Sequence, residues 1–182
     1  GGVSVPMMIR WPGHIPAGQV KTGIQANMDL FTTLATVAGN PNVVEDMKTN
    51  RKQYIDGLNN LDYWTGKSAE SKRNNYLYYH ESTLRAVRIN QWKIHLETSE
   101  DYYDGYKKQK IPLVFNIRQD PCESFDSTTD RSEITQQKLW LGEPVEALLG
   151  QHVKSLMDYP PVQKATTLDF SKLVENLLSQ KK

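Results

Sequence analysis

From residue 75 the period of the apolar side chains changes to two in four short runs, and this change limits what the chain can fold into more than any other feature. Trp92, Ile94 and Leu96 face one way while Lys93, His95 and Glu97 face the other. Such alternation belongs to a sheet with one covered face and one wet face. Four runs carry it, at 76–81, 84–89, 92–97 and 113–118. Asn90-Gln91 separates the second from the third by a short turn, the spacing of an antiparallel hairpin. Residues 98–110 form a polar excursion, rich in Tyr and Lys, before the fourth strand.

A sheet of this kind needs a cover, and residues 144–159 supply one. Pro144 suits the first turn of a helix, and Val145, Leu148, Leu149, His152, Val153, Leu156 and Met157 follow at spacings of three and four. Pro160-Pro161 ends that helix, and 169–179 adds a short final one. His152 lies on the apolar stripe and reads as a packed, hydrogen-bonded side chain rather than a metal ligand.

The first forty residues have another character. Residues 3–11 are a nearly continuous apolar run, the pattern of a strand buried on both faces, with Pro6 pushing it towards a sheet edge or entry. Residues 27–38 read as a helix capped by Asn27 or Asp29, with Leu30, Phe31, Leu34, Val37 and Ala38 on one face and Gly39 as its stop. Residues 41–74 are polar and turn-rich, a connector between two lobes. The chain opens on Gly1-Gly2-Val3 without an initiator Met or an apolar leader, which reads as a piece of a longer protein.

Composition narrows the function classes. With 22 basic against 21 acidic residues the chain has no electrostatic footprint for nucleic acid. No apolar run reaches the length of a membrane-spanning helix. Cys122 is the single cysteine, so no internal disulfide forms, and a small side chain of this kind is expected buried or half-buried. His14, His80, His95 and His152 show no metal-ligand spacing. Glu45-Asp46 and Asp101 with Asp104 read as solvated carboxylates in polar loops. The strands hold an aromatic and basic set, Tyr78, Tyr79, His80, Arg85, Arg88, Lys93 and His95, able to take a sugar ring or an anion or simply to line the polar face of a sheet. Periodicity alone gives an α+β module without a visible active centre.

The order of phrases is more specific. GGVSVPMMIRWPGHIPAG, NMDLFTTLATVAG, IDGLNNLDYWTGK, YLYYH, LRAVRINQWKIHLE, LVFNIRQDPCESFD and YPPVQKA run along nearly the whole chain. Together they resemble the carboxy-terminal part of the type I sulfatases, the arylsulfatase-like branch of the alkaline-phosphatase-like superfamily. The resemblance implies an α/β to α+β chain. Residues 1–40 are then the last strand and helix of a large α/β domain, 41–74 a connector, and 75–182 a smaller domain with a four-stranded antiparallel sheet on a long helix.

The resemblance also implies a sulfuric ester hydrolase acting on a sulfated small molecule or glycan, in a periplasmic or secreted setting. The family's nucleophile is a formylglycine made in a C/S-x-P-x-R motif, aided by calcium. Cys122 lies in Asp120-Pro121-Cys122-Glu123-Ser124, which lacks that motif, so no catalytic or metal residue carries over to this chain. Calcium, formylglycine and the partner amino-terminal domain are expected elsewhere in the protein, and the chain alone is expected inactive. A substrate rim is expected at His80, Arg85, Tyr102, Tyr103 and Lys107. A non-catalytic glycan-binding or interaction module, or a phosphate or phosphonate monoester hydrolase, are the alternative functions.

Overall fold

Asp29 organises the first third of the molecule. The computed structural model describes residues 3–80, 83–99, 104–124 and 138–160. Helix α1 spans Asn27–Val37. Its cap position is Ala26 rather than Asn27 or Asp29, and Asp29 acts from inside the first turn, accepting the Ala26 N–H at 2.9 Å. Gly39 ends the helix with φ +97°, its N–H donating to the Thr36 carbonyl while that of Asn40 donates to Ala35. This is a Schellman stop, and it needs the left-handed backbone that glycine adopts freely.

The inner face of α1 is not the one the apolar spacing predicts. Asp29, Thr32 and Thr33 are buried, whereas Phe31, Leu34 and Val37 face outwards. The reason lies in what the helix packs on. Asp29 is 1% exposed and Arg73 8%, and they meet in a two-pronged ion pair of 2.8 Å from Nε to Oδ2 and 2.6 Å from Nη2 to Oδ1. The same carboxylate accepts the Leu58 N–H, and the guanidinium donates to the Asp56 carbonyl. Thr33 Oγ1 accepts the Asn60 N–H at 3.0 Å, and Asn60 Oδ1 accepts that of Lys72 at 2.9 Å. A buried charge must be paired and hydrogen-bonded, so this polar set decides which side of α1 turns inwards.

Residues 41–74, expected as a connector, are partly helical, with α2 at Val43–Arg51 and α3 at Leu61–Thr65. Glu45 and Asp46 therefore lie in the first turn of a helix, where their charge suits the backbone dipole, and not in a loop. Tyr63 and Trp64 of α3 are buried, and the Tyr63 hydroxyl accepts the Gly23 N–H. Gly57 passes so close to α1 that a Cβ there would lie 2.3 Å from the Met28 carbonyl oxygen.

Residues beyond 74 build an antiparallel meander in the order β1-β2-β3-β4, at Asn75–His80, Thr83–Ile89, Trp92–Thr98 and Lys107–Asn116. Leu77, Val87, Ile94 and Val114 form one cross-strand row, and Tyr78, Ala86, His95 and Leu113 form a row on the opposite face. Val87 is fully buried and Ile94 nearly so. Asn90 turns the β2–β3 hairpin with φ 51° and donates its N–H to Asn74.

A 3₁₀ turn, Leu139–Leu141, leads into helix α4, Gly142–Asp158. The cover reaches the face predicted for it. Tyr79, which shares the side of Leu77, hydrogen-bonds His152 Nε2 at 2.7 Å, and Trp92 meets Trp140 edge to face at 6.1 Å. The covered stripe is narrower and shallower than the spacing suggests: Val145, Leu148, Leu149, His152 and Ser155 are half-buried, while Val153, Leu156 and Met157 stay exposed. Tyr159 touches Tyr54, so the end of α4 also meets the connector. Among the described residues no helix is long and apolar enough to cross a membrane.

Three further expectations change. Residues 3–11 form no strand, and Val5 and Met8 are 78% and 98% exposed, because no described strand offers them a ladder. The fourth strand begins at Lys107, not 113, so much of the 98–110 excursion is sheet. An irregularity in register lets this happen: His95 pairs with Leu113 but Glu97 with Lys108, which loops out part of β4. Cys122 is exposed, standing on a surface turn after Pro121. The helix expected at 169–179 lies outside the described residues.

Candidate functional site

The face of the sheet turned away from α4 carries the polar chemistry. Tyr78, His80, Arg88, Lys93 and His95 share it through the strand register, whereas Tyr79 points to α4 and leaves the set. At its centre is a residue that spacing did not single out. Glu123 accepts from Lys93 Nζ at 2.6 Å and lies 2.5 Å from His95 Nε2. Burial pushes its carboxyl up, yet the hydrogen bonds from His95 and Lys93 outweigh that and hold it down at about 2.

The chain delivers Glu123 there by a built turn. The Ile117 N–H donates to the Gln91 carbonyl, that of Asp120 to Asn116, and that of Glu123 to Asp120. Asp120 Oδ1 accepts the Ser124 N–H at 3.0 Å, and Glu123 itself adopts φ 55°. Its place in the LVFNIRQDPCESFD phrase is the available signal. That phrase and LRAVRINQWKIHLE thus meet in one ion pair, Glu123 with Lys93.

Residues 3–27 arch over this end of the sheet and enclose a cleft of about 1220 Å³. Arg10, Lys21, Arg88, Lys93 and Arg118 line it, with Glu123 as the acidic member among the described residues. A cleft with this excess of basic groups focuses its field and draws anions. Lys93 also stands over the Tyr78 ring, whose hydroxyl is pushed up by burial while Arg88 beside it works in the other direction.

The expected rim residues lie at the other end of the same face. The β1–β2 pairing shifts register after Tyr78, and Arg85 ion-pairs with Glu97 while its guanidinium stacks on Tyr106, 3.7 Å from the ring centroid. Arg85 is therefore committed and not a free anion donor. His80 lies 5.3 Å from the Tyr106 ring, and Lys107 follows Tyr106 at the start of β4. His80 and Arg85 converge on the Tyr106 ring, Lys107 follows it in the chain and pairs with Thr98, and Tyr102 and Tyr103 lie outside the described residues. Tyr106 was missed, because its segment reads as loop until the shifted register is seen.

No described group of three or more His, Cys, Asp or Glu side chains could hold a metal ion. The polar face can bind and orient.

Residues 71–176 match the family described as the C-terminal region of aryl-sulfatase. The chain is 28% identical to N-acetylgalactosamine-6-sulfatase of Canis lupus familiaris over 88% of its length, and 30% identical to that of Rattus norvegicus. It is 28% identical to arylsulfatase A of Bos taurus over 91% of its length. It spans about a third of these relatives, from 32% to 34% of each. The crystal structure of the PsFucS1 sulfatase from Pseudoalteromonas sp. superposes with a TM-score of 0.66 at 23% identity, over 84% of this chain and 30% of that one, a likeness of fold. The meander under its long helix, joined to the turn that ends in Glu123, lies within the matched segment, and the chain belongs to the aryl-sulfatase C-terminal family.

Proposed function

We propose that this chain is the carboxy-terminal portion of an enzyme that hydrolyses sulfate esters, with the reacting groups supplied by a different region of the same protein. The observation that carries this reading is the family match, whose span of 71–176 takes in the whole sheet and α4. The sulfated substrate is a small molecule or a glycan.

The residues here do not fit the family's formylglycine or calcium. Cys122 is followed by Glu-Ser-Phe-Asp rather than x-P-x-R, and the described carboxylates are scattered or already paired. No bond-making step is therefore assigned to this chain. In this reading residues 1–40 complete the larger domain. The apolar surface of Val3, Val5, Met7, Met8 and Ile9, with Phe31, Leu34 and Val37 of α1, supports a docking role, since large exposed apolar areas mark interaction sites. In this reading His80, Arg85 and Lys107 belong to the rim of the substrate cleft. The meeting of His80 and Arg85 at the Tyr106 ring, at one end of the sheet, supports this.

The test compares two preparations, the 182-residue chain and the same chain extended by a region bearing C/S-x-P-x-R. The long form should release sulfate from an aryl sulfate and lose this activity with a calcium chelator, and the short form should release none. Turnover by the short form, or no sulfate from the long one, overturns the proposal.

A further inference from the structure

We propose that Tyr106 and His80 form a stacking platform for a pyranose ring of the sulfated glycan, a ring other than the one bearing the reacting ester. The choice of a glycan rests on the sulfatase reading above. The platform itself rests on geometry. Tyr106 is 41% exposed, and the exposed His80 ring lies 5.3 Å from it at an angle of 43°. The Arg85 guanidinium supports the Tyr106 ring at 3.7 Å from its centroid. Arg85 is in turn held by Glu97, and both side chains are less than one-fifth exposed. An exposed aromatic ring fixed in this way loses little freedom when a ligand arrives.

Charge argues against a sulfate receptor at this spot. The one guanidinium at the Tyr106 ring is already neutralised by Glu97, and its Nε is buried, out of reach of an incoming anion. An anion arriving there would compete with Glu97 for the same cation. The C–H face of a sugar makes no such demand: it packs on the open part of an aromatic pair, and its hydroxyls stay in water. The recognised feature is thus the ring of the sugar and not its sulfate.

The experiment follows the ring signals of Tyr106 and His80 by NMR in the 182-residue chain. It is titrated with a sulfated disaccharide, the same disaccharide without sulfate, and inorganic sulfate. Both sugars should shift the two rings with Kd values within about threefold of each other, and inorganic sulfate should leave them unmoved. Tyr106→Ala should weaken both sugars at least about tenfold, and Tyr106→Phe should keep the binding. Unmoved rings with either sugar, or binding that needs the sulfate and survives Tyr106→Ala, overturn the proposal. Sugar binding with these features in a protein whose long form releases no sulfate counts against the sulfatase reading and leaves the platform standing.

Discussion

Glu123 joins three observations at one residue: a left-handed backbone, a carboxyl held at about 2, and two basic partners from the same strand. Its folded pKa lies below the ordinary carboxylate value of 4.5. Its contribution to stability is therefore complete above that value and disappears as pH falls towards 2. Lys93 and His95 face it directly, and Tyr78, Arg88 and Arg118 line the same cleft. Melting temperature should drop between those two pH values, and Glu123→Gln should flatten that part of the curve. The pair is partly exposed, so the difference is on the order of 1 kcal/mol after solvent screening. A Glu123→Gln variant with the same acid limb as the parent would remove this role. The Asp29–Arg73 pair makes a harsher demand. Arg73→Met should cost about 3–5 kcal/mol in urea unfolding, because it strands a buried carboxylate. Adding Asp29→Leu should not restore the loss, since the Ala26 and Leu58 amides would then lack their acceptor. Full recovery in the double variant would mean that those amides find other partners.

At the level of elements, the meander and the extent of α1 are legible in the sequence but the side that α1 buries is not, and the difference is physical. Alternation in β2 and β3 reports directly on burial, so Val87 and Ile94 are found inside where the period puts them. The two-residue turn at Asn90 likewise follows from spacing. For α1 apolar spacing picks the wrong side, because it carries no sign of the ion pair that Asp29 makes 44 residues downstream. The register shifts that bring Arg85 to Glu97 and start β4 at Lys107 have no periodic signature either, and they hid Tyr106. The candidate site was half visible for that reason: its basic and aromatic members could be named, but not Glu123, which arrives from a turn. The hairpin gives a direct check. Asn90→Gly should leave stability within about 0.5 kcal/mol, whereas Asn90→Ala should lose about 1 kcal/mol, the cost of left-handed backbone for an ordinary side chain. Equal losses from both, measured by denaturant unfolding, would point to the Asn90 side chain rather than its backbone.

Across the whole molecule, order and exposure divide unevenly. The sheet holds its core in a few side chains such as Val87, Ala86 and Ile94, while residues 3–20 carry many of the exposed apolar groups. Amide exchange should be slowest in β2 and β3 and fast from residue 3 to residue 20, where no ladder protects the backbone. Slow exchange in that first segment would show that it has found a partner, most simply another copy of itself.

The Asp29–Arg73 clasp has one consequence for how such a chain can be cut and inherited. The family segment begins at residue 71, two positions before an arginine whose counter-charge lies outside the segment, on α1. The unit recognisable by descent and the unit that folds are therefore offset. Grafting 71–176 onto a foreign carrier moves a guanidinium without its carboxylate, and the graft inherits a vacancy that only the donor's own residues 24–60 are shaped to fill. Recombination that respects this seam must carry both sides of it together.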